Sequence, residues 1–192
     1  MEAINSLLEE ICSCRKCEEH LPLGANPVVQ FSENSKILIV GQAPGTKVHA
    51  SGVPWDDASG RNLRGWMGVS EDIFYDVEKV AIVAMGFCYP GKGKSGDLPP
   101  RPECAEAWHQ QIMDQLPNLQ ITLLIGQYAQ NHYLEGQLKT LTETVKNWKY
   151  YGSKTFPLPH PSPRNNIWMK KNPWFQEEVL PALKERVSVL LR

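Results

Sequence analysis

The chain has 192 residues, with 20 Lys and Arg against 21 Asp and Glu and a net charge of −1, so no global basic field announces a nucleic-acid binder and any such contact must come from a local patch. That length suits one domain over residues 1–192 with a three-layer core, while the start, which lacks a basic or apolar leader, and the absence of any bilayer-long apolar run predict a cytoplasmic, monomeric protein. Five cysteines in that setting point to metal binding or reduced thiols rather than to a disulfide framework.

Ile4, Leu7, Leu8 and Ile11 recur at spacings of three and four, which predicts a short helix over residues 3–12 that delivers Cys12, Cys14 and Cys17. Residues 28–31 read as a short edge strand. Ile37-Leu38-Ile39-Val40 suits a strand covered on both faces, and it runs straight into Gly41-Gln42-Ala43-Pro44-Gly45. Ligands bind at the carboxyl ends of strands in open α/β sheets, so this loop is the first candidate active-site element. Residues 46–60, punctuated by Gly52, Pro54 and Gly60, read as a long loop without helical period. Residues 61–67 read as a helix capped by Ser59 or a neighbour.

Residues 80–85 form a second buried strand that leads into Gly86-Phe87-Cys88. Residues 91–97 read as an exposed flexible loop without the spacing of a nucleotide-triphosphate loop. A helix over 103–116 carries Trp108, Ile112 and Leu116 on one side; a third strand over 121–125 is followed by helices over 127–134 and 138–148. A fourth strand over 155–158 ends in Pro159-His160-Pro161-Ser162-Pro163, and an amphipathic helix over 174–191 follows Pro173. Strands separated by helices predict the α/β class, a three-layer α/β/α sandwich on a central, mainly parallel four-stranded sheet.

With ordinary right-handed crossovers the strand ends at Gly41, Gly86 and Pro159 share one sheet edge, which gathers Gln42, the turn before Cys88 and His160. A histidine between prolines has a restricted backbone, which suits a ring that must be aimed. The other reading is that Pro-His-Pro simply ends an edge strand.

Together these residues resemble the uracil-DNA glycosylase superfamily. Gly41-Gln42-Ala43-Pro44-Gly45 is similar to its first signature and His160-Pro161-Ser162-Pro163 to its last. Gly52-Val53-Pro54-Trp55 resembles the loop whose aromatic stacks on the extruded base, and Leu124-Ile125-Gly126 with Ala129 resembles its third strand and helix. Cys14 and Cys17, then Cys88 and Cys104, are similar to the cysteine order of the iron-sulfur (family 4-like) branch, which implies a [4Fe-4S] cluster, with zinc as the alternative. Cys12 has no counterpart in that pattern.

The resemblance implies hydrolysis of the N-glycosidic bond of uracil or another deaminated or damaged base flipped out of DNA, with His160 donating to the departing base. Two positions depart from the branch. Gln42 stands where it carries a glutamate, and an amide can orient water but cannot act as a general base. Asp56 or Asp57 could supply the carboxylate, since Asp57-Ala58-Ser59-Gly60 resembles a related branch; the pair could equally cap the following helix. Ala84 stands where an asparagine reads uracil, which leaves the Gly86-Phe87 backbone, stacking by Phe87, and His49 as substitute contacts. Gly41, Ala43, Pro44, Gly45 and Trp55 complete the expected substrate pocket. Ser162, Arg164, Asn165, Lys170 and Lys171 are the expected DNA contacts, with Ile167 and Trp168 available for insertion at a base step unless the tryptophan is core. Lys92, Lys94 and Arg101 form a second basic rim. Besides the glycosylase, a non-catalytic nucleic-acid or base-binding protein and an enzyme acting on free nucleosides fit the same pattern.

Overall fold

The computed structural model describes residues 2–136 and 138–192. Four parallel strands form one sheet in the order β2-β1-β3-β4. They are β1 (Ile37–Val40), β2 (Val80–Ile82), β3 (Ile121–Ile125) and β4 (Thr155–Leu158). Their apolar runs are explained by burial on both faces. Ile37, Ile39, Leu123, Phe156 and Leu158 point into one core, while Leu38, Val40, Ala81 and Leu124 point into the other.

The second of these cores is covered by α1 (Glu2–Cys12) through Ile4, Leu7 and Ile11. The first is covered by α3 (Ala58–Met67), which follows the short α2 (Thr46–Ser51) and precedes α4 (Glu71–Phe74). The predicted helix over 103–116 is a rod in three parts: α5 (Pro102–Cys104), a π-helical turn (Ala105–His109) and α6 (Gln110–Asp114). It lays Cys104, Trp108 and Ile112 on the α1 side, next to α7 (Gly126–Tyr133). Among the described residues α8 (Leu141–Lys146), α9 (Asn166–Lys171) and α10 (Leu180–Leu190) follow, the last entered through a π-helical turn at Phe175–Val179. Among the described residues no helix is long and apolar enough to cross a membrane.

Several boundaries differ from expectation for identifiable reasons. Residues 28–31 make a single antiparallel bridge, Gln30 to Ile82, rather than a strand. The regular part of β2 ends at Ile82, but its backbone keeps pairing with the first loop: the Met85 and Gly86 amides donate to the carbonyls of Gly41 and Gln42 at 2.8 and 3.0 Å. Residues 46–51, expected as loop, form α2; only Val48 is buried there, so no apolar period was present to reveal it. Helix α3 starts at Ala58 because Asp57, not Ser59, is its N-cap, accepting from the Gly60 amide at 2.9 Å. The helix expected over 138–148 shrinks to α8 behind the Thr140 cap.

With β1 central and the chain moving outward to β2 on one side and to β3 and β4 on the other, the carboxyl ends of the strands meet at a topological switch point.

Candidate active site

A cavity of about 530 Å³ opens at those strand ends. It is lined by the Gly41–Gly45 loop, by Val28, Ile82 and Ala84, and by Trp55, Asp57, Asp97 and His160. A neighbouring cavity of about 320 Å³ shares Gln42 and His160 with it and adds Tyr128, Asn165 and Trp168.

Trp55 ties the first and last loops together. Among the described residues it is the one non-glycine with positive φ, at 58°, a conformation that a bulky side chain adopts only under compulsion and that clusters at functional sites. Its indole lies against Gly41, where a Cβ would come within 2.8 Å of Cζ2, and its carbonyl lies so close to Gly60 that a Cβ there would sit 1.8 Å away. Both glycines are therefore required by the pose of Trp55. On its other side the indole meets the His160 ring at 5.6 Å between centroids, tilted by 35°.

The short β4 delivers His160 to this place, and its loop is braced on both sides: Asn165 Nδ2 donates to the His160 carbonyl at 2.6 Å and Asn62 Nδ2 to that of Pro161 at 2.8 Å. The ring Nδ1 accepts from the Ser162 amide at 3.2 Å. An acceptor at Nδ1 fixes the neutral tautomer with its proton on Nε2. Burial pulls the imidazole below its ordinary pKa, against the opposing charges of Asp57 and Asp97. The result is a neutral N–H donor at the cavity wall.

Gln42 spends its amide nitrogen on the Leu98 carbonyl at 3.1 Å, which leaves its side-chain oxygen as a free acceptor. Asp57 lines the cavity with one oxygen committed to the α3 cap. Asp56 is exposed outside the cavity, where its charge acts on Tyr75. Ala43, Pro44 and Gly45 line the cavity as expected.

The three expected substitute contacts, stacking by Phe87, the Gly86-Phe87 backbone and His49, do not line the cavity. Phe87 is buried, stacked on His109 with planes 11° apart and 5.7 Å between centroids, and its amide donates to Cys104 Sγ at 3.4 Å. It therefore cannot stack on a base in the cavity. Gly86 turns its amide to Gln42 and packs against Pro100. His49 lies outside the cavity, its ring 6.4 Å from that of Tyr89 and its carbonyl bonded to Asn26.

Of the expected DNA contacts, Ser162 and Arg164 reach the cavity rim and Asn165 the neighbouring one, while Lys170 and Lys171 are exposed at the end of α9. Ile167 is 68% exposed. Trp168 is not free to insert into DNA: its Nε1 donates to Thr142 Oγ1 at 2.8 Å and its ring packs edge-on against Trp174 and Phe175. Lys92 also lines the rim.

Sequence reasoning missed Asp97. The segment expected to be a flexible loop is a hairpin closed by an antiparallel bridge between Lys92 and Asp97, and it forms a cavity wall. Its Gly-Lys-Gly-Lys-Ser-Gly composition was a hairpin signal.

The cysteines divide into a set and an outlier. Burial pushes the Cys88 thiol up to about 11 and that of Cys104 up to about 12; Cys104 also feels Cys17, Cys88 and Cys14, and Cys88 feels Cys17 and Cys14. Cys17 and Cys88 share one apolar cluster with Leu21. Cys12 is exposed. Among the described residues no three such side chains already stand in the arrangement of a metal site.

A family model described as "Uracil DNA glycosylase superfamily" matches residues 28–184. A Type-4 uracil-DNA glycosylase of Archaeoglobus fulgidus is 28% identical over 131 residues, which cover 67% of this chain and only 62% of that protein. A Type-4 uracil-DNA glycosylase of Sulfurisphaera tokodaii is 23% identical over 171 residues, covering 84% of this chain and 76% of that protein. A solution NMR structure from Methanosarcina acetivorans covers 83% of this chain and 98% of its own at 16% identity, with a TM-score of 0.46.

Proposed function

Because this chain belongs to the uracil-DNA glycosylase superfamily, we propose that it is a DNA glycosylase that hydrolyses the N-glycosidic bond of uracil or another deaminated base turned out of DNA. The observation that carries this reading is His160, a neutral Nε2–H donor held by Ser162 beside Trp55. An extruded base entering the cavity that Trp55 and the Gly41 loop line meets that donor with its oxygen. As the bond to the sugar breaks, the electron pair moves onto the base and the donor stabilises the anion. The positive charge that grows on the sugar is offset by carboxylates lining the cavity, Asp57 among them. Gln42, its oxygen free, orients water. The cations Lys92 and Arg164 at the rim suit the phosphates on either side of the flipped nucleotide. Relatives named as uracil-DNA glycosylases support uracil as the first substrate to try. Ala84 offers a base no side-chain hydrogen bond, which favours a pocket that tolerates other deaminated bases.

The test is incubation with single- and double-stranded oligonucleotides containing uracil, hypoxanthine or xanthine, followed by alkali. Strand breaks at the modified position are expected with at least one of them. Intact strands with tight, salt-sensitive binding would favour the reading that Gln42 invites, a base-binding protein that has lost catalysis.

Cys14, Cys17, Cys88 and Cys104 fit a [4Fe-4S] cluster: their thiols feel one another, and Cys12 is outside the set. Thiols buried this deeply stay protonated without a metal, whose charge would convert them to thiolates. The cluster would be a structural tie between the chain after α1 and the end of β2. Purified protein should be brown with broad visible absorption, bleached in Cys88→Ser and kept in Cys12→Ser; colourless protein containing zinc would replace the cluster by the alternative.

A further inference from the structure

We propose that Asp97 is the general base of the site, taking the proton from the attacking water in place of the glutamate that Gln42 lacks; this rests on the glycosylase reading above. Among the described residues the carboxylates lining the cavity are those of Asp57 and Asp97. They differ in what they already hold. Asp57 caps α3, with one carboxylate oxygen already committed to the Gly60 amide at 2.9 Å. Asp97 has no such tie in the cavity.

Its position is built rather than incidental. The hairpin that carries it is closed by the Lys92–Asp97 bridge, by the Gly93 amide on the Gly96 carbonyl at 2.6 Å and by the Leu98 amide on the Gly91 carbonyl at 2.8 Å. The residue after Asp97 is fastened to the first loop by Gln42 Nε2 on the Leu98 carbonyl. The carboxylate itself comes over the same loop, its Oδ2 lying 3.8 Å from where a Cβ on Gly45 would be, and its charge reaches the His160 ring. A Cβ on Gly96, just before it, would lie 4.0 Å from Arg164 Nη1. Arg164 and Lys92 suit the phosphates, Trp55 and His160 suit the base, and Asp97 lines the same cavity as both pairs.

In the step this geometry supports, the oxygen of a water held by the Gln42 side-chain oxygen bonds to C1′ of the sugar. The C1′–N bond breaks with its electron pair going to the base, and the water proton passes to Asp97. The base anion rests on the Nε2–H of His160, and the Asp97 proton returns to solvent.

The experiment uses the full-length protein and the modified oligonucleotide that the wild type excises best, under single-turnover conditions. Asp97→Asn should lower the excision rate about 100-fold or more, with DNA affinity within about threefold of wild type, and Asp97→Glu should keep more activity than Asp97→Asn. Excision by Asp97→Asn within about threefold of wild type, or a loss matched by weakened DNA binding, overturns the assignment to Asp97 and leaves the glycosylase reading standing. A wild type that excises no base overturns both.

Discussion

Replacing His160 by alanine should slow base excision by about 100- to 1,000-fold, the loss typical when one preorganised donor to a developing anion is removed. The size follows from what the ring does in the ground state. Its Nδ1 is already saturated by the Ser162 amide, so the free donor strength is all at Nε2. Alanine removes that donor, along with the face that Trp55 packs against, whereas the loop keeps its Asn165 and Asn62 braces. The rate should therefore fall much more than stability does. The pH dependence has a definite sign. Burial favours the uncharged ring, so the neutral form persists below the ordinary histidine range, and His160 should impose no loss of rate as pH rises from about 6.5 to 8. The comparison is single-turnover excision across that range by wild type and His160→Ala, alongside urea unfolding of both. A variant that excises within about threefold of wild type would remove His160 from the chemistry.

How much of this was readable in the residues depends on whether a signal was local. The strands were legible because two-sided burial forces apolar runs such as Ile37–Val40 and Ile121–Ile125, and no polar face interrupts them. Helix α2 was not legible because one buried residue, Val48, makes no period. The resemblance to the iron-sulfur branch implied Cys14, Cys17, Cys88 and Cys104 as a set; Cys17, Cys88 and Cys104 are buried, while Cys12, outside that pattern, is exposed. Side-chain direction at loops was the hidden quantity. Nothing in Gly86-Phe87-Cys88 says that the phenyl ring turns inward to stack on His109, or that Asp56 and Asp57, adjacent in sequence, face different surroundings. Trp168 read more as core than as a base-step wedge, and the partners that hold it, Thr142, Trp174 and Phe175, come from other segments. Asp97 was missed for the same reason: turn composition predicts a hairpin, and only the tertiary fold says that the hairpin leans over the Gly45 loop.

His109 carries the second large effect, and it acts from beneath the cavity. It is 3% exposed, between the sheet and α7. The Ala84 carbonyl can only accept, so the His109 Nε2–H donates to it at 3.0 Å, and Nδ1 must then accept from the Tyr133 hydroxyl at 2.7 Å. Every hydrogen-bonding atom of the ring is used in the neutral state, and a second proton would set a donor against Tyr133. Burial accordingly pushes its pKa down to about 4. In the unfolded chain the ring titrates near the ordinary 6.5, so between about pH 4 and 6.5 the unfolded state binds a proton that the folded state does not. Stability therefore rises with pH through that window, and His109 contributes a loss on the order of 3 kcal/mol as pH falls across it.

His109→Leu should cost about 2–4 kcal/mol at pH 7, because the Ala84 carbonyl and the Tyr133 hydroxyl are left buried without partners. It should also remove this slope. Urea unfolding at pH 7 and pH 4.5 would then show the gap between wild type and variant narrowing in acid, and a gap that stays constant would mean that the ring is not held neutral. Because the carbonyl it grips belongs to Ala84 in the cavity lining, the same variant should weaken binding of the base more than it slows the bond-breaking step, which separates a residue that shapes the pocket from one, like His160, that faces the reaction.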